Sequence, residues 1–481
     1  MGMENNYSNY KPRMKPNQPN KLNMGRTILI SFSFFTVLLA WTYFNFKVPL
    51  LLDEALPNFP GKDTIRGLIM ALDNIVAVLL QPLFGNMSDK TQSKFGRRMP
   101  YIFFGTVLSA ICYILIPFIQ ILFGLILIIL LFDIFMCSFR SVAIAILPDY
   151  TRDEVRSKAS GIQQFVSNMG GVIAFVIAPL ISMIPNPPES LDRYLGFLII
   201  GVLMITMLVL QLLYIKETPT GDKIFKLADH EIEINPNDFT VHERELSTEE
   251  KQSKKNVYLE IKTIFKENKD MAFMLLSVTF MYLGFASLET FFSSFAIQYI
   301  GFTEGQAGTV LLAYSGPMIL SAPLHGIIGQ KIGRKKALIG NLILQMVAIG
   351  VWSFIYVPLS YQNPNLILAM LLLACVSIPW MGVIIQTFAV LWAISPEGEI
   401  GTYTGYYYMF NQAAYTLSPI LTGAILDIFN FLGDRRYLAM FPFFLVSSFI
   451  ALMLFLKVKS GDEDISVDTL KEYQEAYRQD D

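Results

Sequence analysis

Twelve apolar runs, each about 18 residues or longer, constrain this chain more than any other feature of it. They fall near 27–50, 64–87, 100–120, 122–147, 158–184, 193–215, 271–298, 306–330, 336–358, 365–394, 401–428 and 437–457. In lipid a backbone N–H or C=O has no water to bond, so a run of that length is stable only as a helix. Charge use agrees: 16% of residues are charged and 53% hydrophobic, where soluble domains carry about a quarter charged. The sequence predicts an all-α polytopic membrane protein with twelve transmembrane helices.

A net charge of −2 gives nucleic acid nothing to bind. Cys112, Cys137 and Cys375 all sit in apolar runs, and two of the three histidines share one polar loop. No disulfide framework, metal site or cofactor is expected. Residues 1–25 are rich in Asn, Lys and Pro without the apolar core of a signal peptide, and are expected as a disordered cytoplasmic tail. Lys and Arg gather in that tail and after the second, fourth and eighth runs, whereas the links after the first, third, seventh and ninth have almost none. By the positive-inside rule both termini are cytoplasmic, in a multi-pass protein of the cell membrane. The polar interval 216–270 divides the runs six and six, giving bundles over 26–215 and 271–457, and an acidic tail follows over 458–481. Within the interval, Val257, Ile261, Ile264 and Phe265 share one face of an expected surface helix.

One motif recurs. Gly85-x-x-x-Asp89 followed by Gly96-Arg97-Arg98 links the second and third runs, and Gly326, Gly329, Gln330, Gly333 and Arg334 repeat it 241 residues later. Pro148-Asp149 and Pro396-Glu397 are 248 apart, Gly161 and Gly405 244 apart. Offsets this similar are what two parallel six-helix repeats about an axis along the membrane normal would give. Such repeats imply a carrier with one central site. The motif reads as a gate at the cytoplasmic face, with Asp89 meeting Arg97 or Arg98 and with Asp149 and Arg156 in the same network. Gln330 stands where the first copy has Asp89.

Polar side chains inside the runs are the candidate binding residues, since an ionisable group in lipid is costly without a purpose. Asp73 and Asn74 lie in the second run, and Asp73 reads as a proton or cation site or as a partner for Lys47. Lys47 itself snorkels to the surface or serves the cavity beside Asn45. Asp133 and Arg140 fall on one face of the fourth helix about 10 Å apart along its axis, close enough to share a cavity. Gln163 and Asn168 add amides in the fifth. Glu289 in the seventh exchanges a proton or caps its helix. Tyr403, Tyr406, Tyr407, Tyr408, Asn411 and Gln412 make a polar aromatic surface suited to a sugar.

The two motif copies resemble the signature of the major facilitator superfamily. Leu72-Asp73-Asn74, Gln81-Pro82, Ser88-Asp89-Lys90-Thr91 and Gly96-Arg97-Arg98-x-Pro100-Tyr101, with Arg140 before Leu147-Pro148-Asp149, are more narrowly similar to the sucrose–proton symporter branch near the glycoside–pentoside–hexuronide:cation symporters. That resemblance implies a secondary active transporter carrying a disaccharide or other glycoside with a proton, working as a monomer. It also maps substrate and proton binding onto Arg140 and Asp133. Sodium-coupled relatives have second-helix aspartates before the proline, where Ala77 and Gln81 stand here, which shifts weight to a proton. A non-sugar cargo such as a lysolipid or drug, and a transporter-like sensor, are the alternatives. A membrane enzyme is disfavoured, because no loop pairs aspartates or histidines to hold a metal.

Overall fold

The computed structural model describes residues 24–57, 59–91, 93, 95–149, 153–184, 189–215, 226–227, 230–231, 257–395 and 400–459. The expected disordered tail and most of the linker and acidic tail lie outside them. Twelve long helices follow the twelve runs closely. In the first half they are α1 (Met24–Ala55), α2 (Lys62–Lys90), α3 (Met99–Leu115), α4 (Leu122–Asp149), α5 (Asp153–Ser182) and α6 (Glu189–Tyr214). In the second they are α7 (Lys269–Ser294), α8 (Glu304–Ile332), α9 (Arg334–Val351), α10 (Leu366–Ile394), α11 (Ile400–Ile428) and α12 (Met440–Phe455). The last run begins later than expected, because Asn430–Ala439 winds as a 3₁₀ turn around Gly433. Eleven of these segments are long and apolar enough to cross a membrane. The exception, α11, has 29 residues but carries Tyr403, Tyr406, Tyr407, Tyr408, Asn411 and Gln412 along its first half.

Local chemistry sets the ends. Thr303 caps α8 with a reciprocal box, its hydroxyl accepting from Gln306 N and the Gln306 side chain accepting from Thr303 N. Asn268 and Asn365 cap α7 and α10 in the same simple way. Gly333, at φ 93°, breaks the chain between α8 and α9, a conformation that side chains other than hydrogen adopt only with strain.

The packing repeats with a shift of six helices. In the first half α1 packs on α5 and α6, α4 on α2 and α3, and α3 on α6; in the second α7 packs on α11 and α12, α10 on α8 and α9, and α9 on α12. The halves meet along two seams related by the same shift, α2 with α11 and α5 with α8, with α1 touching α7 between them. Trp41, Phe44, Tyr113, Phe132 and Phe197 fill the first half, and Phe292, Phe295, Trp352 and Phe441 fill part of the second. Outward-facing Leu79, Phe104, Phe123, Leu320, Leu344 and Phe354 form the surface that lipid would cover.

The linker helix, Val257–Glu267, docks on the second half through Ile261 and Ile264. Phe265 stacks on Phe410 of α11, centroids 6.1 Å apart. A two-residue antiparallel pair, Lys226–Leu227 with His230–Glu231, precedes it. Below, the end of the bundle that carries Met24 and Lys459 is called the tail face, and the opposite end the far face.

Candidate functional site

Between the halves lies a cavity of about 470 Å³. Its first-half walls come from α1 and α5, among them Thr42, Asn45, Phe46, Asn168 and Phe175. The second half contributes Phe285, Glu289, Tyr314, Trp380, Asn411 and Tyr415. Trp380 lies flat on Phe285, centroids 4.2 Å apart and planes 13° apart. Asn45 Nδ2 donates to Glu289 Oε1 at 3.2 Å, joining α1 to α7 across the cavity. Glu289 therefore lines the cavity and does not cap its helix.

A second group of polar residues sits in the first half. Asn74 Nδ2 donates to Asp73 Oδ1 at 2.6 Å, and Gln412 Nε2 of α11 donates to Asn74 Oδ1, tying the α2–α11 seam. The helices that carry Asp73 and, on the other side, Asp133 and Arg140 pack on one another, Val76 and Ala77 of α2 meeting Cys137 of α4. Asp133 is 1% exposed, and its Oδ1 has no partner among the described residues. Gln163 lies outside the cavity lining, whereas Asn168, one turn and a half further along α5, reaches it.

Two sequence-based readings need correction. Lys47 neither snorkels nor pairs with Asp73: it is 3% exposed and forms an ion pair with Glu304 at the first turn of α8. The carboxylate was out of view in sequence because it opens a helix 257 residues away. The tyrosines of α11 are mostly packing: Tyr403, Tyr406 and Tyr407 are buried, and the Tyr407 hydroxyl bonds that of Tyr282 at 2.9 Å. Of that surface Asn411 reaches the cavity, and so does Tyr415 one turn further along α11, which the sequence reading did not single out. At the motif, Arg98 is buried and donates to Ser88 Oγ at 2.5 Å. The side chains of Asp89, Asp149 and Arg156 lie outside the described residues.

Among the described residues, a Cβ at Gly85, Gly161, Gly326 or Gly405, all toward the tail face, would meet nothing within 4 Å. Gly329 packs instead within its own half on Gln386. Gly96, at φ 89°, turns the chain before Arg97, and Arg334 reaches Ala389 O only weakly, at 3.5 Å.

The far face is the opposite. A Cβ at Gly67 would collide with the Pro419 backbone, one at Gly423 with Asp63, and one at Gly305 with Ser182. Around these contacts runs a buried ionic network that hydropathy and motif spacing do not reveal. Asp63 Oδ1 takes a bond from Arg66 Nη1 at 2.6 Å, and its Oδ2 takes one from Arg436 Nε at 2.8 Å. Asp53 binds Arg66 at 3.0 Å and Lys62 at 3.2 Å. Arg66 Nη2 also donates to Ser294 Oγ at 2.5 Å and to Pro49 O at 2.9 Å. Tyr437 Oη donates to Gln298 Oε1, and Gln298 Nε2 donates to Asp53 Oδ2. Asp427 accepts from the N–H groups of Asp63 and Thr64, capping α2 from the other half. In sequence these groups look like ordinary charges in links; the signal that could have found them is Asp63 and Arg66 one turn apart at a helix start.

Two equivalent bundles, interlocked at the far face around a central cavity, define the architecture of a membrane carrier. The Major Facilitator Superfamily profile matches residues 30–299 and 274–471, and the chain belongs to that superfamily. It is 24% identical over 399 residues to YnaJ of Bacillus subtilis (strain 168), described as an uncharacterized symporter, covering 77% of this chain and 76% of the relative. Its fold is similar to an inward-facing, unoccupied bacterial homologue of the human lysosomal transporter Spinster, with TM-score 0.65, 14% identity, and 92% of this chain and 98% of that one covered. The nucleoside transporter NupG superposes with TM-score 0.66 at 14% identity, over 90% of this chain and 100% of the other. The peptide transporter POT gives 0.63 at 13%, over 92% and 95%.

Proposed function

We propose that this transporter carries a sugar, a disaccharide or other glycoside, together with a proton across the cell membrane. The observation that carries the reading is Glu289, a carboxyl joined to Asn45 of the opposite half inside a cavity walled by aromatic rings. A sugar presents an apolar CH face and a hydroxyl rim; Trp380 and Phe285 suit the first, Asn45, Asn168 and Asn411 the second. A volume of about 470 Å³ falls inside the roughly 300–1,000 Å³ of small-molecule sites. Glu289 is the proton carrier nearest the cargo, with Asp73 and Asp133 beside Arg140 as the second acidic site. The tail face is cytoplasmic by its Lys and Arg content, so the locked far face makes this an inward-facing state. Residues 26–215 and 271–457 are the units that rock, as a monomer. Gly85, Asp89, Gly96, Arg97, Arg98, Asp149 and Arg156, with Gly329, Gly333 and Arg334, form the gate that closes when the far face opens.

The test is uptake of radiolabelled maltose and sucrose into proteoliposomes under an imposed pH gradient. Wild type accumulates sugar, and Glu289→Gln, Asp73→Asn and Arg140→Ala each lose at least about tenfold of the gradient-driven component. Retained sugar exchange without a gradient in Glu289→Gln marks the proton site specifically. A second reading, an amphipathic non-sugar cargo, is favoured by the apolar walls Phe46, Phe292, Phe441 and Phe444. Gradient-driven uptake of a lysolipid or lipophilic drug, with none of either sugar, decides for it.

A further inference from the structure

The cavity does not stop at the seam between the halves. It continues into the second bundle, and its walls draw on all six helices there, as deep as Gln345 and Trp352 on α9 and Phe444 on α12. Four polar atoms on these walls are buried with no hydrogen-bond partner among the described residues: Ser293 Oγ, Tyr314 Oη, Gln345 Oε1 and Trp352 Nε1. Ser293, Gln345 and Trp352 are 2%, 1% and 0% exposed. Buried polar groups are bonded in the great majority of cases, so four together at one cavity wall need a partner that enters it.

The backbone marks the same place. The helix from α9 widens into a π-helical turn at Trp352–Tyr356, beginning on one of the four residues. Two residues beyond Ser293, α7 does the same over Phe295–Ile300. Such turns are rare and gather at functional sites, because the extra residue re-aims the side chains around it. Gln345 and Trp352 are seven apart and therefore share a face of α9.

The chemistry of the four atoms restricts the partner. Gln345 offers an amide oxygen that only accepts, Trp352 an N–H that only donates, and Ser293 and Tyr314 hydroxyls that do both. None is charged. A carboxylate or an ammonium would enter without a counter-ion, whereas a neutral ring with several hydroxyls satisfies acceptors and donors together.

We propose that this pouch inside the second half is a specificity subsite holding one neutral, hydroxyl-bearing ring of the cargo, deeper than Glu289 and read by Ser293, Tyr314, Gln345 and Trp352. The proposal rests on the sugar reading above. It assigns the part of the cargo that selects, as distinct from the carboxyl that couples.

Equilibrium binding to the purified full chain tests it, with radiolabelled maltose and sucrose as probes and monodeoxy methyl glucosides as competitors. Gln345→Leu, Tyr314→Phe and Trp352→Phe are each expected to weaken sugar binding about tenfold. Gln345→Leu is further expected to flatten the ranking of the deoxy competitors, which wild type separates by about tenfold or more. Should a larger change impair folding, Tyr314→Phe, which removes a single oxygen, carries the test, with unfolding midpoints confirming intact protein. Wild-type binding that all three variants retain, with the ranking unchanged, overturns the pouch and leaves the sugar reading standing. Wild type binding neither probe removes both.

Discussion

Asp63 shows how much a single side chain holds here. It is fully buried and takes one arginine on each oxygen, Arg66 from its own helix and Arg436 from the other half. Lys62 and Arg66 pair with Asp53 and Asp63 within the first half, while Arg436 and Asp427 reach this group from the second, one through Asp63 and the other through the N–H groups of Asp63 and Thr64. Removing one partner from a buried pair leaves an uncompensated charge and typically costs about 3–5 kcal/mol. Asp63→Asn is therefore expected to lower thermal stability of this form sharply, which unfolding in detergent micelles measures; an unchanged midpoint would deny the network its structural part. The Lys47–Glu304 pair predicts an asymmetry. Lys47 is 4% exposed at the side chain and Glu304 33%, so Glu304→Gln strands a buried ammonium while Lys47→Met leaves a carboxylate that still meets solvent. Glu304→Gln is expected to lower the same midpoint more than Lys47→Met does. None of these partnerships was legible in sequence. Asp53 and Lys62 sit in what hydropathy reads as a link and Arg66 at the very start of the second run, and the partners at Gln298, Arg436 and Tyr437 follow more than 230 residues later.

Elements were far easier to read. An apolar run long enough to cross lipid has no stable conformation but a helix, so the spans came out within a few residues even across the short α3–α4 and α9–α10 links. Seams between helices depend instead on which glycine meets which backbone, and hydropathy is silent on that. Gly67 and Gly423 let α2 and α11 touch backbone to backbone. Among the described residues, a Cβ at Gly85 or Gly326 meets nothing within 4 Å. The two ends should thus respond oppositely. Gly67→Val cannot fit the far-face seam, so it is expected to part that end and let an external thiol reagent reach a cysteine placed at Asn45. Gly85→Val fits the present state and is expected to spare stability while cutting transport, since it obstructs closure at the tail face. Equal labelling at Asn45→Cys with and without Gly67→Val would mean that the far-face seam is not held by that contact. The pouch escaped notice for a related reason: its four polar residues are uncharged and spread over three helices, so no local motif joins them.

At the scale of the whole molecule, symmetry does the explaining. The same helix pairings appear in each half, and the seams α2–α11 and α5–α8 exchange under the six-helix shift. A pair of similar bundles joined along two equivalent seams has two arrangements of comparable energy, one parted at each face, because the packing broken at one end is replaced by equivalent packing at the other. What tips the balance is the far-face network, which is ionic and buried, against a tail-face motif whose second copy has Gln330 where the first has Asp89. A cargo can shift the equilibrium only by binding the other arrangement more tightly, and the Asn45–Glu289 bond spanning α1 and α7 is where that preference would be felt. Ser293 faces the cavity and its neighbour Ser294 holds Arg66, so cargo in the second half and the far-face lock share one stretch of α7. Spin labels at Gly161→Cys and Gly405→Cys, equivalent positions near the tail-face starts of α5 and α11, are expected to approach when maltose is added at acidic pH. Labels at Phe59→Cys and Phe431→Cys on the far face are expected to separate in the same sample. Both distances changing in opposite senses is rocking about the central seams; the tail-face pair closing while the far-face pair stays fixed is closure by one gate alone, and would detach the ionic network from the transport cycle.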